Sequence, residues 1–334
     1  MRIAVVGAGA IGGFLGARLA LAGEDVTLIA RGPHLAAMRE HGVRVRSDDG
    51  EYVAFPRCTD DLAAVTDADV ALLTMKANAL PAFAPRLGAT LGPRTAVVTA
   101  QNGVPWWYFE RHGGPLEGTR LRSVDPDGVI ARAIPIERVI GCVVYPAAEL
   151  IEPGVIWHVE GIRFPIGEPD GTRSERALAL SATFTRAGLK APVRPRIRDD
   201  IWLKLIGNAA LNPLSALARA TLDQIGSDVD ARALALEAMT EAATVAAQLG
   251  VILEIGVVQR LEAAVRIRGH KPSMLADVEQ GRPLELEPLV GAVLEIGALV
   301  GVELPRLQAL YACAKLLDTI AHPEREQSPA AVPA

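Results

Sequence analysis

Three polar residues recur at intervals of four in the segment Asp199–Leu217, DDIWLKLIGNAALNPLSAL: Lys204, Asn208 and Asn212. On a helix that spacing puts them on one face. Asn is a weak helix former, because its side chain competes for backbone hydrogen bonds. Two of them below a lysine, amid Trp202, Leu205, Ile206 and Leu211, are an unusual surface stripe. A solvated polar face is the plain alternative. The chemical reading is a binding row. A lysine is ordinarily protonated at neutral pH. Its ammonium can stabilise negative charge developing on a carbonyl oxygen and then supply a proton. The two amides can hold further oxygens. Pro213, directly after Asn212, is expected to kink or end the helix.

A second pattern opens the chain. Gly7-Ala8-Gly9-Ala10-Ile11-Gly12 fits GxGxxG. The apolar run Ile3–Val6 precedes it, a helix-like Phe14–Leu21 follows, and a second apolar run ends at Ala30, so a βαβ unit fits into 30 residues. In that context Gly7 permits a tight turn, Gly9 lets backbone approach a pyrophosphate, and Gly12 lets helix pack on strand. The N-terminus of the following helix would face the anion, and Ala10 and Ile11, inside the motif, count with the glycines as cofactor-binding positions. Where an Asp or Glu would hold a ribose diol stands Ala30-Arg31. A guanidinium there suits a 2′-phosphate, which favours NADP over NAD. A solvated loop arginine is the alternative. Met1-Arg2 and the 15 uncharged residues after it could pass for a signal peptide, but five glycines interrupt that run and a strand-like segment follows.

Lys76 directly follows the apolar Val70–Met75, and Gln101-Asn102-Gly103 directly follows Thr95–Ala100. Ligands of open α/β sheets bind beyond the carboxyl ends of strands, where a cofactor's ribose and nicotinamide would lie. Asn-Gly is also a strong turn signal, and both readings can hold. With Lys204 these features make one chemistry. Hydride delivered to a ketone carbon leaves an alkoxide, which a nearby ammonium stabilises and protonates.

The elements that must position these residues fall into two halves. Arg2–Val6, Asp25–Ile29, Val70–Met75, Thr95–Ala100 and Val139–Tyr145 read as short strands alternating with helices, hence an α/β domain with a parallel sheet covered on both faces. From about Ile197 long Ala- and Leu-rich helices take over, among them Asp230–Leu249, Leu284–Val300 and Pro305–Ile320. The expected division is a nucleotide-binding domain over 1–195, a helical domain over 196–321 and a disordered tail over 322–334.

Composition narrows the classes. The chain has 334 residues, half of them apolar, and a net charge of −5, which disfavours a nucleic-acid partner. No uncharged stretch exceeds 15 residues, which disfavours a membrane span. Cys58, Cys142 and Cys313 form no CxxC pair and read as reduced, mostly buried thiols of a cytoplasmic protein. The six histidines show no metal-ligand spacing, so no metal is expected.

The chain resembles the ketopantoate reductase family (2-dehydropantoate 2-reductases). The resemblance rests on GAGAIGG at Gly7–Gly13, ARG at Ala30–Gly32, LTMKA at Leu73–Ala77, QNG at Gln101–Gly103, WLKLIGNAALNPLSAL at Trp202–Leu217, PSMLAD at Pro272–Asp277 and GRPLELE at Gly281–Glu287. It implies a Rossmann domain followed by a helical domain like that of 6-phosphogluconate dehydrogenase, with the active site in the cleft between them. It implies NADPH as hydride donor, a small-molecule 2-keto acid as substrate, 2-dehydropantoate above all, and a place in pantothenate biosynthesis. Lys204 then falls on the proton-donor lysine. Asn208, Asn212 and Ser273 fall on substrate-holding positions, and Arg31, Lys76, Asn102 and Glu285 on positions that contact the cofactor or order the site. For Ser273 the other reading is an N-cap of a helix starting at Met274. For Glu285 it is a solvated carboxylate at a helix start.

The chain also departs from that pattern. Leu222 stands where a further asparagine is expected, His270-Lys271-Pro272 precede Ser273, and a long insertion follows Asn102. The insertion opens with Val104-Pro105-Trp106-Trp107-Tyr108-Phe109, four of the chain's 14 aromatics. It could be a lid or apolar wall for a bulkier substrate, a packed loop, or a dimer contact. Two rival functions follow: a 2-hydroxy-acid dehydrogenase of the same fold acting on a bulkier or aromatic substrate, and an NADP(H)-binding regulatory protein without turnover. A homodimer through the apolar second-half helices is compatible with the pattern, as is closure of those faces on the first domain.

Overall fold

The computed structural model describes residues 1–323. Most of the tail expected to be disordered lies outside the described residues. The chain divides into two compact units. The first comprises Met1–Gln101, Trp107–Arg120 and Gly128–Ile197; the second comprises Asn102–Trp106, Leu121–Asp127 and the chain from Arg198 on.

The first unit is built on a seven-stranded sheet. In chain order its strands and those of a smaller sheet are β1 (Arg2–Val6), β2 (Asp25–Ile29), β3 (Val43–Ser47), β4 (Gly50–Ala54), β5 (Arg57–Thr59), β6 (Val70–Leu73), β7 (Ala96–Ala100), β8 (Val139–Cys142), β9 (Ala147–Glu152), β10 (Val155–Glu160) and β11 (Ile166–Gly167). The large sheet runs β11-β8-β7-β6-β1-β2-β5, parallel except for β11. All five strands expected from the apolar runs are in it. Their burial on both faces explains why they read as unbroken hydrophobic segments rather than alternating ones. Three end earlier or start later than expected: β6 stops at Leu73, β7 begins at Ala96 and β8 stops at Cys142. Helices α1 (Ala10–Leu21), α2 (Gly32–His41), α3 (Leu80–Thr90), α4 (Val129–Ala133) and α5 (Glu175–Arg186) complete the unit. Phe14, Leu15, Leu28, Leu72, Val98, Ile140, Phe164 and Phe184 are wholly buried in one core.

A second sheet, β4-β3-β10-β9, was not anticipated. Its strands β4 and β9 are only half-buried and carry charges, so they lack the apolar signature. Strand β3 pairs parallel with β10, and Ile156 of β10 presses on Gly13 of α1.

The second unit holds α6 (Ile197–Ala218), α7 (Leu222–Ser227), α8 (Val229–Gln248), α9 (Val257–Val265), α10 (Ser273–Glu279), α11 (Ala292–Val300) and α12 (Pro305–Ala321). Two expectations need correction. Helix α6 does not end at Pro213 but runs on to Ala218. Proline removes one amide from the ladder, leaving the Ala209 carbonyl without its usual donor, but Ala209, Ala210, Leu211, Leu214 and Ala216 are all buried, and that packing carries the helix through. The helix expected from Leu284 begins at Leu286 and opens with a wide π-turn, Glu287–Gly291, before α11. Pro288 supplies no amide to the new ladder.

None of the three cysteines is in a disulfide, but only Cys142 is buried; Cys58 is half-buried and Cys313 is exposed. Helix α12 turns Leu307, Leu310 and Ala314 inward, which leaves residue 313 on the outer face. Among the described residues no helix is long and apolar enough to cross a membrane, and no cluster of three His, Cys, Asp or Glu could hold a metal ion.

Candidate active site

Strand order reverses at β1, whose neighbours are β2 and β6. The crevice beyond the carboxyl ends of such strands is where open α/β sheets take ligands. The glycine-rich turn leaves β1 there. Gly7 has φ +94°, and a Cβ on it would come within 2.7 Å of the Met75 backbone nitrogen. A Cβ on Gly12 would strike Thr74 Oγ1 and approach the Gly7 carbonyl at 2.6 Å. Thr74 Oγ1 itself donates to that carbonyl at 2.9 Å. A Cβ on Gly9, by contrast, would stand in open space. Gly7 and Gly12 are therefore glycine for packing, whereas the room at Gly9 suits an approaching ligand. Gly9 is the N-cap of α1 and offers no side chain to the first turn. The opening amides of α1, those of Ala10 and Ile11 among them, have no intrahelical acceptor, which is the arrangement that binds anions.

Arg31 is exposed at the N-cap of α2, two residues past β2. Lys76 is half-buried just past β6, where a short 3₁₀ turn, Ala77–Ala79, begins. The Gln101 amide donates to the Met75 carbonyl at 2.8 Å, tying the segment after β7 to the segment after β6. Gly7, Gly9, Ala10, Ile11, Gly12, Arg31 and Lys76 thus all belong to the first unit.

In the second unit Lys204 and Asn208 are half-buried on α6 and Asn212 is buried. The Lys204 ammonium donates to Asn102 Oδ1 at 2.5 Å. Asn102 lies two residues past β7, yet it belongs with the helical unit. The backbone explains how it is held. Gly103 has φ +88°, and a Cβ there would collide with the Pro288 carbonyl. The Val104 amide donates to that same carbonyl at 2.8 Å. The π-turn therefore fixes the Asn102 loop. Glu295 holds a second loop: its carboxylate accepts from the Arg122 and Ser123 amides at 2.8 and 2.9 Å and from the Ser123 hydroxyl at 2.6 Å. Glu285 is buried just before the π-turn. Ser273 is exposed as the first residue of α10 and makes no capping bond, so the N-cap reading does not apply to it.

Sequence reasoning missed Thr74, His34, Pro288 and Glu295. Each acts through a contact far along the chain, and none carries a local signal of it. It also left the aromatic insertion open. Trp107, Tyr108 and Phe109 are almost wholly buried, and Trp107 packs on Gly141 while its Nε1 donates to Thr99 Oγ1 at 3.1 Å. These rings are core of the first unit, not a lid.

Comparison with known proteins gives one answer. The model of the ketopantoate reductase PanE/ApbA family matches residues 3–171, and that of the ketopantoate reductase PanE/ApbA C-terminal domain matches residues 196–318. A 2-dehydropantoate 2-reductase of Mesorhizobium japonicum is 48% identical, covering 95% of this chain and 98% of that protein. A crystal structure described as a candidate ketopantoate reductase, from Ralstonia solanacearum MolK2, is 43% identical with a TM-score of 0.89, covering 96% of this chain and 98% of that one. D-Mandelate dehydrogenase, solved with NADH and anilino(oxo)acetate, is 22% identical with a TM-score of 0.82 over 96% of this chain and all of that one. That last likeness shows the fold alone.

Proposed function

The chain belongs to the ketopantoate reductase family, an oxidoreductase class acting on a CH–OH group, and we propose that it reduces 2-dehydropantoate to pantoate with NADPH as hydride donor. The observation that carries the reading is the Lys204 ammonium, seated on α6 and aimed at an amide oxygen 2.5 Å away.

The residues fit the cofactor. The open space at Gly9 and the α1 amides would take its pyrophosphate. Arg31 would take its 2′-phosphate, and Lys76 and Asn102 would contact it further along. When bound, NADPH supplies the hydride. The protein does the rest. Lys204 keeps a proton on Nζ, presents it to the keto oxygen as charge develops there, and gives it up to form the alcohol. Asn102 holds the ammonium in place until the substrate carbonyl replaces it as acceptor. Asn208, Asn212 and Ser273 would hold the carboxylate and hydroxyl of the acid, and Glu285 would help order the site. The proposed compartment is the cytoplasm.

The aromatic-substrate rival drew its support from the insertion, whose Trp107, Tyr108 and Phe109 are buried in the first unit. The test is NADPH consumption by the purified protein with 2-dehydropantoate, a branched aliphatic 2-keto acid and phenylglyoxylate. Turnover highest on 2-dehydropantoate is expected. Turnover of the bulkier acids alone would discard the substrate while keeping the reaction. No turnover of any, with NADPH still bound, would favour the regulatory reading.

A further inference from the structure

His34 lies on the first turn of α2, three residues past Arg31. It is partly buried and takes no part in the chemistry above. Its Nε2 is 2.7 Å from the carbonyl oxygen of Ala8, inside the glycine-rich turn. Its Nδ1 accepts from the Gly154 amide at 2.8 Å. Gly154 sits in the turn of the β9–β10 hairpin. All three residues belong to the first unit.

The two partners dictate the state of the ring. A backbone amide only donates, so Nδ1 must be bare. A backbone carbonyl only accepts, so Nε2 must carry the hydrogen. The imidazole is therefore neutral and in one tautomer. A lysine or arginine could not replace it, having no acceptor.

The bond to Ala8 falls where the backbone has most freedom to lose. Ala8 is flanked by Gly7 and Gly9, and glycine restricts backbone torsions least. In a trans peptide the carbonyl and the next amide point opposite ways. Fixing the Ala8 carbonyl therefore aims the Gly9 amide, which donates to the Gly7 carbonyl at 2.7 Å. The same peptide borders the open space at Gly9. The far end is equally well held: the Gly154 carbonyl accepts from the Arg44 amide at 2.9 Å, and a Cβ on Gly154 would come within 3.2 Å of Ala37 on α2.

We propose that His34 is a positioning residue for the dinucleotide site: a neutral imidazole latch that fixes the Ala8–Gly9 peptide in its cofactor-ready orientation and anchors it to the β9–β10 turn. The proposal rests on the dinucleotide reading of the glycine-rich turn. It does not depend on the choice between NADPH and NADH.

Two substitutions separate the two bonds. In His34→Gln the side-chain amide nitrogen can still reach the Ala8 carbonyl, and the acceptor toward Gly154 is lost. In His34→Asn the side-chain oxygen can still accept from Gly154, and the donor to Ala8 is lost. Each removes one hydrogen bond, so the two should melt at similar temperatures. NADPH affinity, read by fluorescence titration, should not follow melting temperature. His34→Gln is expected within about threefold of the wild type and His34→Asn about tenfold weaker, the loss of roughly one hydrogen bond. Equal affinities in the two variants, or a wild-type affinity in His34→Asn, would overturn the latch. The wild-type ring supplies a second reading that needs no variant. Nitrogen-15 NMR at neutral pH should find His34 neutral with its hydrogen on Nε2, and a hydrogen on Nδ1 would overturn the proposal. Wild-type protein that binds neither NADPH nor NADH would sink the dinucleotide reading first and the latch with it. Wild-type protein that binds, with variants that do not separate, would sink the latch alone.

Discussion

The ammonium of Lys204 donates to the side-chain oxygen of Asn102 at 2.5 Å, although the two residues lie on segments far apart in the chain. The contact holds the proposed acid in a single place. Lys204→Ala should lower kcat by about 10²–10⁴, the usual worth of a positioned general acid. NADPH binding, measured separately by titration, should survive. A variant that retains more than a tenth of the activity would remove Lys204 from the proton-donor role.

Gly103 is the support of that contact. An alanine there would need a left-handed backbone and would strike the Pro288 carbonyl. Gly103→Ala should destabilise the protein by about 1–3 kcal/mol, visible as a lower denaturation midpoint. The strain falls on the loop that presents Asn102, so kcat/KM should fall as well. An unchanged midpoint would mean that the π-turn yields more easily than its geometry implies.

Arg31 tests the choice of cofactor. Arg31→Ala should weaken NADPH by about tenfold or more and NADH much less, because only NADPH offers a 2′-phosphate to a charge-assisted bond. Titration of both nucleotides against both proteins decides it. Equal losses would mean that the arginine does not read the phosphate.

His34 gives the protein a pH dependence of definite sign. Burial pushes its pKa below the ordinary imidazole value, and the Ala8 bond only partly opposes the shift. The unfolded chain therefore binds a proton more readily than the folded one. Stability is complete above the ordinary value of about 6.5 and is lost as pH falls through it toward the depressed folded value. Melting temperatures at about pH 7.5 and pH 5.5 should differ more in the wild type than in His34→Gln, which cannot titrate. Equal differences would show that other groups carry the acid sensitivity.

Trp107 separates core from site. It is fully buried, so Trp107→Ala should cost about 3–5 kcal/mol. Trp107→Phe should keep most of the stability and leave the order of substrate preference unchanged. A shift of that preference toward smaller or larger keto acids would return the insertion to the site.

The parts legible in sequence were those whose signal is local. Strands β1 and β2 lie where their apolar runs put them, because in each the four residues after an exposed charged first residue, Arg2 or Asp25, are all buried. Lys204, Asn208 and Asn212 shared a face by spacing alone. The small sheet was illegible because β4 and β9 are half-exposed and charged, and because the β3–β10 pairing that joins its two hairpins spans over a hundred residues. The π-turn was illegible for another reason: its Pro288 carbonyl is spent on Val104, some 180 residues earlier. A helix pattern shows where apolar residues recur, not where a carbonyl turns outward to serve another segment.

The parallel pairing of β3 with β10 also bears on synthesis. Arg44 leaves the ribosome over a hundred residues before its partner Val155. Until then β3 has only the β4 side of its hairpin satisfied, and its other edge is an open template for unwanted pairing. Non-local strand closure of this kind is slow. The same late hairpin carries Gly154, the anchor of His34. A nascent chain truncated after β7 would therefore hold the whole glycine-rich turn in sequence while lacking the clamp on it. The anchor would form only once residue 160 or so had emerged.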